Sequence, residues 1–344
     1  MVCTPGGPSR LLQEARQAVT GRAALLVIGT LVLQLGFIAS YIGAFHHPVP
    51  KDISLGVVAP RQISGQLVDK LRGLPGGPLD PRPVRDAPEA RRQIGERDLD
   101  AALVVDPRGT TDTLLTAGGA GASLAQAAEA VVTRAEKAEG RTLRVIDTAP
   151  AASGDARGLT SFYLVVGWCV GGYLCAAILA ISAGARPANL HRAVIRLGAI
   201  ACYAVCAGLL GAVIAGPVLD ALPGSLAALW GLGALVVFAV GALTLALQGL
   251  AGVVGIGLAI GLVVVLGNPS AGGAYPYPLL PPFWRAIGPA LPPGAGTWSA
   301  RSVAYFDGNA LTGPLLVLSA WAVAGAVVAL VCAAVRGPRS PADW

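Results

Sequence analysis

Residues 225–267 read SLAALWGLGALVVFAVGALTLALQGLAGVVGIGLAIGLVVVLG, 43 positions without one Asp, Glu, Lys, Arg or His. One bilayer crossing takes about 20 apolar residues, each rising about 1.5 Å. The stretch is therefore long enough for two crossings, folded back at Gln248-Gly249. A helix buried in a soluble core would not stay apolar for so long. The rest of the chain can be sorted by the side of the bilayer on which it falls.

Working outward, the composition agrees. Mean hydropathy is +0.64, and only 13% of residues are charged, against about 25% in soluble domains. Further spans are read at 23–45, 161–183, 197–219 and 313–335, and the opening stretch divides into 225–247 and 250–267. None contains an Asp, Glu, Lys, Arg or His. The expected fold is an α-helical polytopic membrane protein with six transmembrane helices. An extracytoplasmic α/β domain, 46–158, lies between helices 1 and 2. A cleaved leader is the rival reading of 23–45. Its apolar region would be about 7–15 residues with a small-residue site after it. This run is longer and is followed by His46-His47, so it reads as a retained anchor. Ahead of it, 1–22 is basic, and Leu11, Leu12, Ala15 and Val19 recur at helical spacing. That pattern fits a cytoplasmic amphipathic segment or a plain solvated lead-in.

Charge sets the orientation. With six spans and the N-terminus inside, the cytoplasmic segments hold Arg10, Arg16, Arg22, Arg186, Arg192, Arg196, Arg336 and Arg339 against Glu14 and Asp343. The 46–158 segment balances 15 basic with 15 acidic residues. The formal charge of +6 thus lies on one side, as the positive-inside rule requires. A basic pI of this origin reflects topology and gives no reason to expect nucleic acid as a partner. Cys169, Cys175, Cys202, Cys206 and Cys332 fall in spans and none in the α/β segment, so no disulfide framework is implied. Cys202 and Cys206, four apart, read as small packing residues. His46 and His47 lack partners at metal-ligand spacing, so no metal site and no cofactor are expected.

Within 46–158 the periodicity predicts strands at 53–58, 82–85, 100–105, 113–116 and 143–146. Helices are predicted at 61–72, 88–97 and 123–139, the last N-capped near Ser123 and ended by Gly140. The βαβαββαβ order makes a domain of about 100 residues.

The second patterned segment is 268–312, followed by a tail at 336–344. Asn268-Pro269 ends the fifth span. Tyr275, Tyr277, Phe283, Trp284, Trp298, Tyr305 and Phe306 suit the headgroup level. Short interfacial or re-entrant helices are predicted at 281–287 and 297–306, forming either an aromatic lid or a gate. LGNPSAGG from Leu266, FWRAIGP from Phe283, LPPGAG from Leu291 and RSVAYFDG from Arg301 carry a resemblance. With RDLDAALVV from Arg97, GASLAQA from Gly121 and RGLTSFYLVVGW from Arg157, the chain resembles the YhgE/Pip (phage infection protein) group, which belongs with type-2 ABC exporter permeases. Typical phage infection proteins have a far longer, coiled outer domain.

The resemblance implies a permease-like membrane subunit in a bacterial plasma membrane, with both termini cytoplasmic and substrate unassigned. It implies an outer gate at Asn268, Pro269, Gly272, Gly273, Trp284, Arg285, Pro292, Pro293, Gly294 and Arg301. It also implies an ATPase-coupling loop at 185–196 with Arg186, His191, Arg192 and Arg196. The three lysines follow Pro50, Asp69 and Glu136, so no phosphate-cradling G-K loop exists and any ATPase is a separate subunit. No span carries a proton-relay acid or histidine. Gly167 with Gly171, and Gly257 with Gly261, are small-x-x-x-small pairs suited to helix packing; permeases of this kind pair as homo- or heterodimers. The alternative is a non-transporting scaffold or receptor in the lipid bilayer that displays 46–158. No nucleophile–base set or carboxylate pair points to an enzyme.

Overall fold

The computed structural model describes residues 20–335. The amphipathic segment at 9–22, except for its last three residues, and the tail 336–344 lie outside the described residues.

Five helices are long and apolar enough to cross a membrane, which marks the chain as membrane-embedded. They are α1 (Gly21–Phe45), α5 (Thr160–Ala183), α6 (Leu190–Val213, continued by a wide turn Ile214–Val218), α7 (Leu226–Ala251) and α11 (Thr312–Val335). A shorter apolar helix, α8 (Val254–Ser270), follows α7 and is wound wide over Gly261–Gly267. The fold-back falls later than the sequence placed it. Gln248 and Gly249 are still inside α7, and the turn comes at Gly252 with φ +63. Gln248 is buried because its side-chain amide donates to the Ala176 carbonyl of α5 at 3.1 Å.

Helix α7 is the hub. It buries 56% of its most apolar window inside the protein, whereas α1 buries 6%. Lipid is as apolar as a leucine side chain, so close backbone approach and not water exclusion decides which helices touch. A methyl group at Gly172 of α5 would lie 2.7 Å from the Val237 carbonyl of α7. Gly208 of α6 and Gly325 of α11 press as closely on the α7 backbone. The glycine pairs chosen by spacing sit elsewhere. Gly257 and Gly261 face Leu33 of α1, Gly171 faces Tyr203, and Gly167 has open space before it. Spacing finds glycines on one helix face; it does not say which face meets the hub.

The α/β domain holds β1 (Ile53–Val58), α2 (Arg61–Arg72), β2 (Leu79–Pro83), α3 (Ala87–Gly95), β3 (Ala101–Val104), β4 (Thr111–Thr116), α4 (Ala122–Ala138) and β5 (Thr142–Asp147). The sheet order is β2-β1-β3-β4-β5, with β3 and β4 antiparallel and the other neighbours parallel. Strand β2 starts three residues before its predicted position because Leu79–Pro83 pairs with Ile53–Val57. Helix α4 has no side-chain cap; Ser123 instead donates to the Ala274 carbonyl at 2.8 Å. Side-chain alternation splits the core in two. Leu55, Leu103 and Leu114 face α2 and α4, whereas Ala102 and Leu115 face α3 with Ala90 and Ile94.

The segment 268–312 joins domain to helices. It forms α9 (Pro282–Ile287) and α10 (Pro292–Tyr305). Leu279 enters the first domain core and Phe306 the second, each almost wholly buried. Ala295, Ala300 and Val303 of α10 belong to the transmembrane core. One short helix is thus packed into the bundle while the residue after it is packed into the domain.

Candidate functional site at the domain–bundle seam

Helix α10 is buried on nearly every side, so its polar side chains must find partners locally. Thr297 and Ser299 donate to the carbonyls four residues back, at 2.7 and 2.8 Å. Arg301, only 3% exposed, reaches outward. Its guanidinium donates to the carbonyls of Gly272 at 2.6 Å, Gly273 at 2.8 Å and Gly158 at 3.2 Å. A single side chain therefore ties α10 to the loop after α8 and to the segment entering α5. Gly273 lies so close to the Phe162 ring that any side chain there would overlap it. Gly294 lies equally close to the Gly288 carbonyl. These contacts give the NPSAGG and LPPGAG stretches a packing reason for their glycines.

Arg97 approaches from the domain. It follows α3 with φ +65, the left-handed conformation that usually ends helices with glycine. Its guanidinium donates to the Trp298 carbonyl at 2.9 Å and to Ser302 Oγ at 2.7 Å. The same group lies 3.5 Å over the Trp298 ring and 4.9 Å from the Phe306 centroid, a cation–π arrangement strengthened where water is excluded. Tyr277 stacks on Trp298 with centroids 6.1 Å apart. Burial, with the Arg301 charge nearby, pulls Arg97 down to about 9; burial brings Arg301 to about 10. Both stay charged at neutral pH.

A third connection runs through Asp155, 4% exposed. Its carboxylate accepts from Leu159 and Thr160 backbone N–H groups and the Thr160 hydroxyl, all within 2.9 Å, at the start of α5. There it also meets the positive end of the helix dipole. Tyr305 of α10 donates its hydroxyl to the other oxygen at 2.7 Å, and burial with this bond raises the Tyr305 pKa. At the rim, Arg285 pairs with Asp52 at 3.0 Å and Asn309 donates to the Gly95 carbonyl at 3.1 Å.

Of the residues read as an outer gate, Arg301, Gly272 and Gly273 are brought into direct contact. Pro292, Pro293 and Gly294 form the buried start of α10. Asn268 and Pro269 are buried at the end of α8. Trp284 and Arg285 stand at the rim, Trp284 edge-on to Phe283. Arg97, Trp298, Tyr305 and Asp155 were not singled out for this role. Arg97 closes the predicted helix 88–97 within a run of charges, and its left-handed backbone turns it inward. The aromatics expected at the headgroup level divide likewise, with Trp298 and Phe306 turned into the seam.

At the other end of the bundle the four loop residues separate. Arg196 is buried and donates to the Ala183 and Gly184 carbonyls at 2.7 and 2.8 Å, capping α5. Arg186 donates to the Leu250 carbonyl at 3.0 Å, capping α7. Only His191 and Arg192 stand exposed without a side-chain partner among the described residues. Asn189 accepts the Arg192 N–H at 2.9 Å, and the second half of the predicted loop 185–196 is the first turns of α6 itself. Among the described residues no cluster of His, Cys, Asp or Glu could hold a metal ion.

Compared with family models, with curated proteins and with solved structures, the chain matches none.

Proposed function

We propose that this chain is the permease-like membrane subunit of a type-2 ABC exporter, energised by a separate ATPase chain and of unassigned substrate. The observation that carries this reading is α10, shared between the bundle core and the domain core. A domain merely displayed on a tether has no need of a helix embedded in both. A subunit that transmits movement between membrane helices and an outer domain does. The resemblance to YhgE/Pip proteins runs through the same segment, and the spans without acids leave the energy source to a partner.

The rest of the reading follows. The charge asymmetry supports a domain outside and both termini inside, and the resemblance implies a bacterial plasma membrane. Helix α8 supplies the sixth crossing, about 25 Å long at about 1.5 Å per residue. The open face at Gly167 offers a seam for a homo- or heterodimer. His191 and Arg192 are the surface offered to an ATPase, since Arg186 and Arg196 are engaged with carbonyls. The test is purification in mild detergent with mass spectrometry of what accompanies the chain. An ATPase subunit should co-purify, and His191→Ala with Arg192→Glu should abolish it while membrane insertion stays normal. Absence of any ATPase, with the domain still reachable by impermeant reagents, would return the reading to a non-transporting scaffold.

A further inference from the structure

Arg97 and Arg301 border one cavity of about 40 Å³ at the seam. Its wall also includes Asp100, Tyr277, Trp298 and Phe306. Neither arginine has a carboxylate within ion-pair distance among the described residues. Buried charges ordinarily have one, because an uncompensated guanidinium in a dry site is costly. Hydrogen-bond capacity is also left over. Among the described residues Arg301 Nε and the Tyr277 hydroxyl are buried and have no hydrogen-bond partner. Arg97, half-buried, donates there through Nη1 alone. The cavity therefore offers donors in excess.

The carboxylates nearby do not cancel this. Asp100 Oδ2 already accepts the Ser54 N–H at 2.9 Å, and burial raises the Asp100 pKa. Asp155 lies outside the lining and is committed to Leu159, Thr160 and Tyr305. Counting Asp100 as charged, the lining has two guanidiniums and one carboxylate, an excess of one positive charge. About 10–15 Å³ of such space admits one water, so 40 Å³ admits a group of a few heavy atoms.

We propose that this cavity binds one small monovalent anion, of chloride or nitrate size, held by Arg97, Arg301 Nε and the Tyr277 hydroxyl. The anion would join a domain residue to two residues of the 268–312 segment and so tighten the seam. This assignment does not depend on transport.

The test uses the full chain in detergent, transferred to gluconate buffer, an anion too large for the cavity. Chloride or nitrate is then titrated at fixed ionic strength while the melting temperature is followed. Binding to the folded state alone gives a saturable rise. Tyr277→Phe keeps the ring stack and removes one donor, so the apparent Kd should weaken about two- to tenfold. Arg97→Gln removes a charged donor and should weaken it about 10- to 150-fold. If Arg97→Gln does not fold, the Tyr277→Phe shift decides alone. A flat melting temperature in both anions, a rise that gluconate reproduces, or an unchanged Kd in Tyr277→Phe would overturn the proposal.

Discussion

The two ends of the helical bundle use the same residue for the same bond and obtain different results. At the domain end, Arg301 gathers carbonyls at positions 158, 272 and 273, and Arg97 reaches across about 200 positions to Trp298 and Ser302. At the opposite end, Arg196 turns back 12 and 13 positions to cap the preceding helix. An arginine donor fork fits carbonyl oxygens in either place. What differs is where the carbonyls lie: at the ends of membrane helices for Arg196 and for Arg186 on Leu250, in the segments that meet the domain for Arg301 and Arg97. The first set holds helix ends, while the second holds the domain to the membrane body.

The sharpest way to break this contrast is Arg301→Ala. It leaves three carbonyls without their donor in a site that is 3% exposed. The expected loss is about 3–5 kcal/mol, seen as a lower melting temperature and as protease cleavage near Gly158 and Gly273. Lysine there cannot span three acceptors and should recover little. A loss below about 1 kcal/mol would mean the seam is held by packing alone. Arg196→Ala should cost less, about 1.5–3 kcal/mol for its charged hydrogen bonds, without exposing the domain to protease. Equal protease sensitivity in both variants would erase the distinction between the ends.

A third prediction separates the seam from the domain's own charges. Glu136 is 4% exposed beside Asp112 and Arg141. Burial, then the Asp112 carboxylate, raises its pKa from 4.5 to about 7. The folded state thus keeps a proton that the unfolded chain releases. Stability is fully present below the ordinary value and falls as pH rises toward 7. Glu136→Gln, which keeps a donor for Asp112, should flatten the stability–pH curve between about pH 4.5 and 7. The seam arginines keep their charge throughout, so a slope surviving in this variant would place the titrating group elsewhere. The smallest effect belongs to Arg285→Ala. Its pair with Asp52 is about one-third to one-half exposed, and removal should change stability by less than about 1 kcal/mol, read from the same melts.

The membrane elements were legible because lipid imposes one rule on whole stretches: no Asp, Glu, Lys, Arg or His for a bilayer's width. The α/β order was legible because strands and helices alternate with different hydrophobic periods. Helix ends were harder. Gln248-Gly249 looked like a turn because Gln is polar, yet its amide NH2 donates to the Ala176 carbonyl inside the bundle. The seam was hidden for a different reason. Trp298 and Phe306 have the composition of a membrane-interface girdle, and Arg97 lies in a run of surface charges. Their role depends on pairings about 150–200 positions apart, which no local pattern encodes. A basic residue interrupting an otherwise small and apolar stretch, as Arg301 does in SARSVA, was the available signal.

Phe306 also bears on the timing of synthesis. It completes the core that holds Val84, Ala90, Ile94 and Leu99, yet it is translated more than 200 positions after Leu99. At about 5–20 residues per second that gap is roughly 10–40 s. Throughout it the newborn domain stands with an unfilled apolar socket, and Leu279 leaves a second on its other face. Delivery of the last quarter of the chain is therefore a maturation step, and the domain is open to chaperones and proteases until α10 arrives.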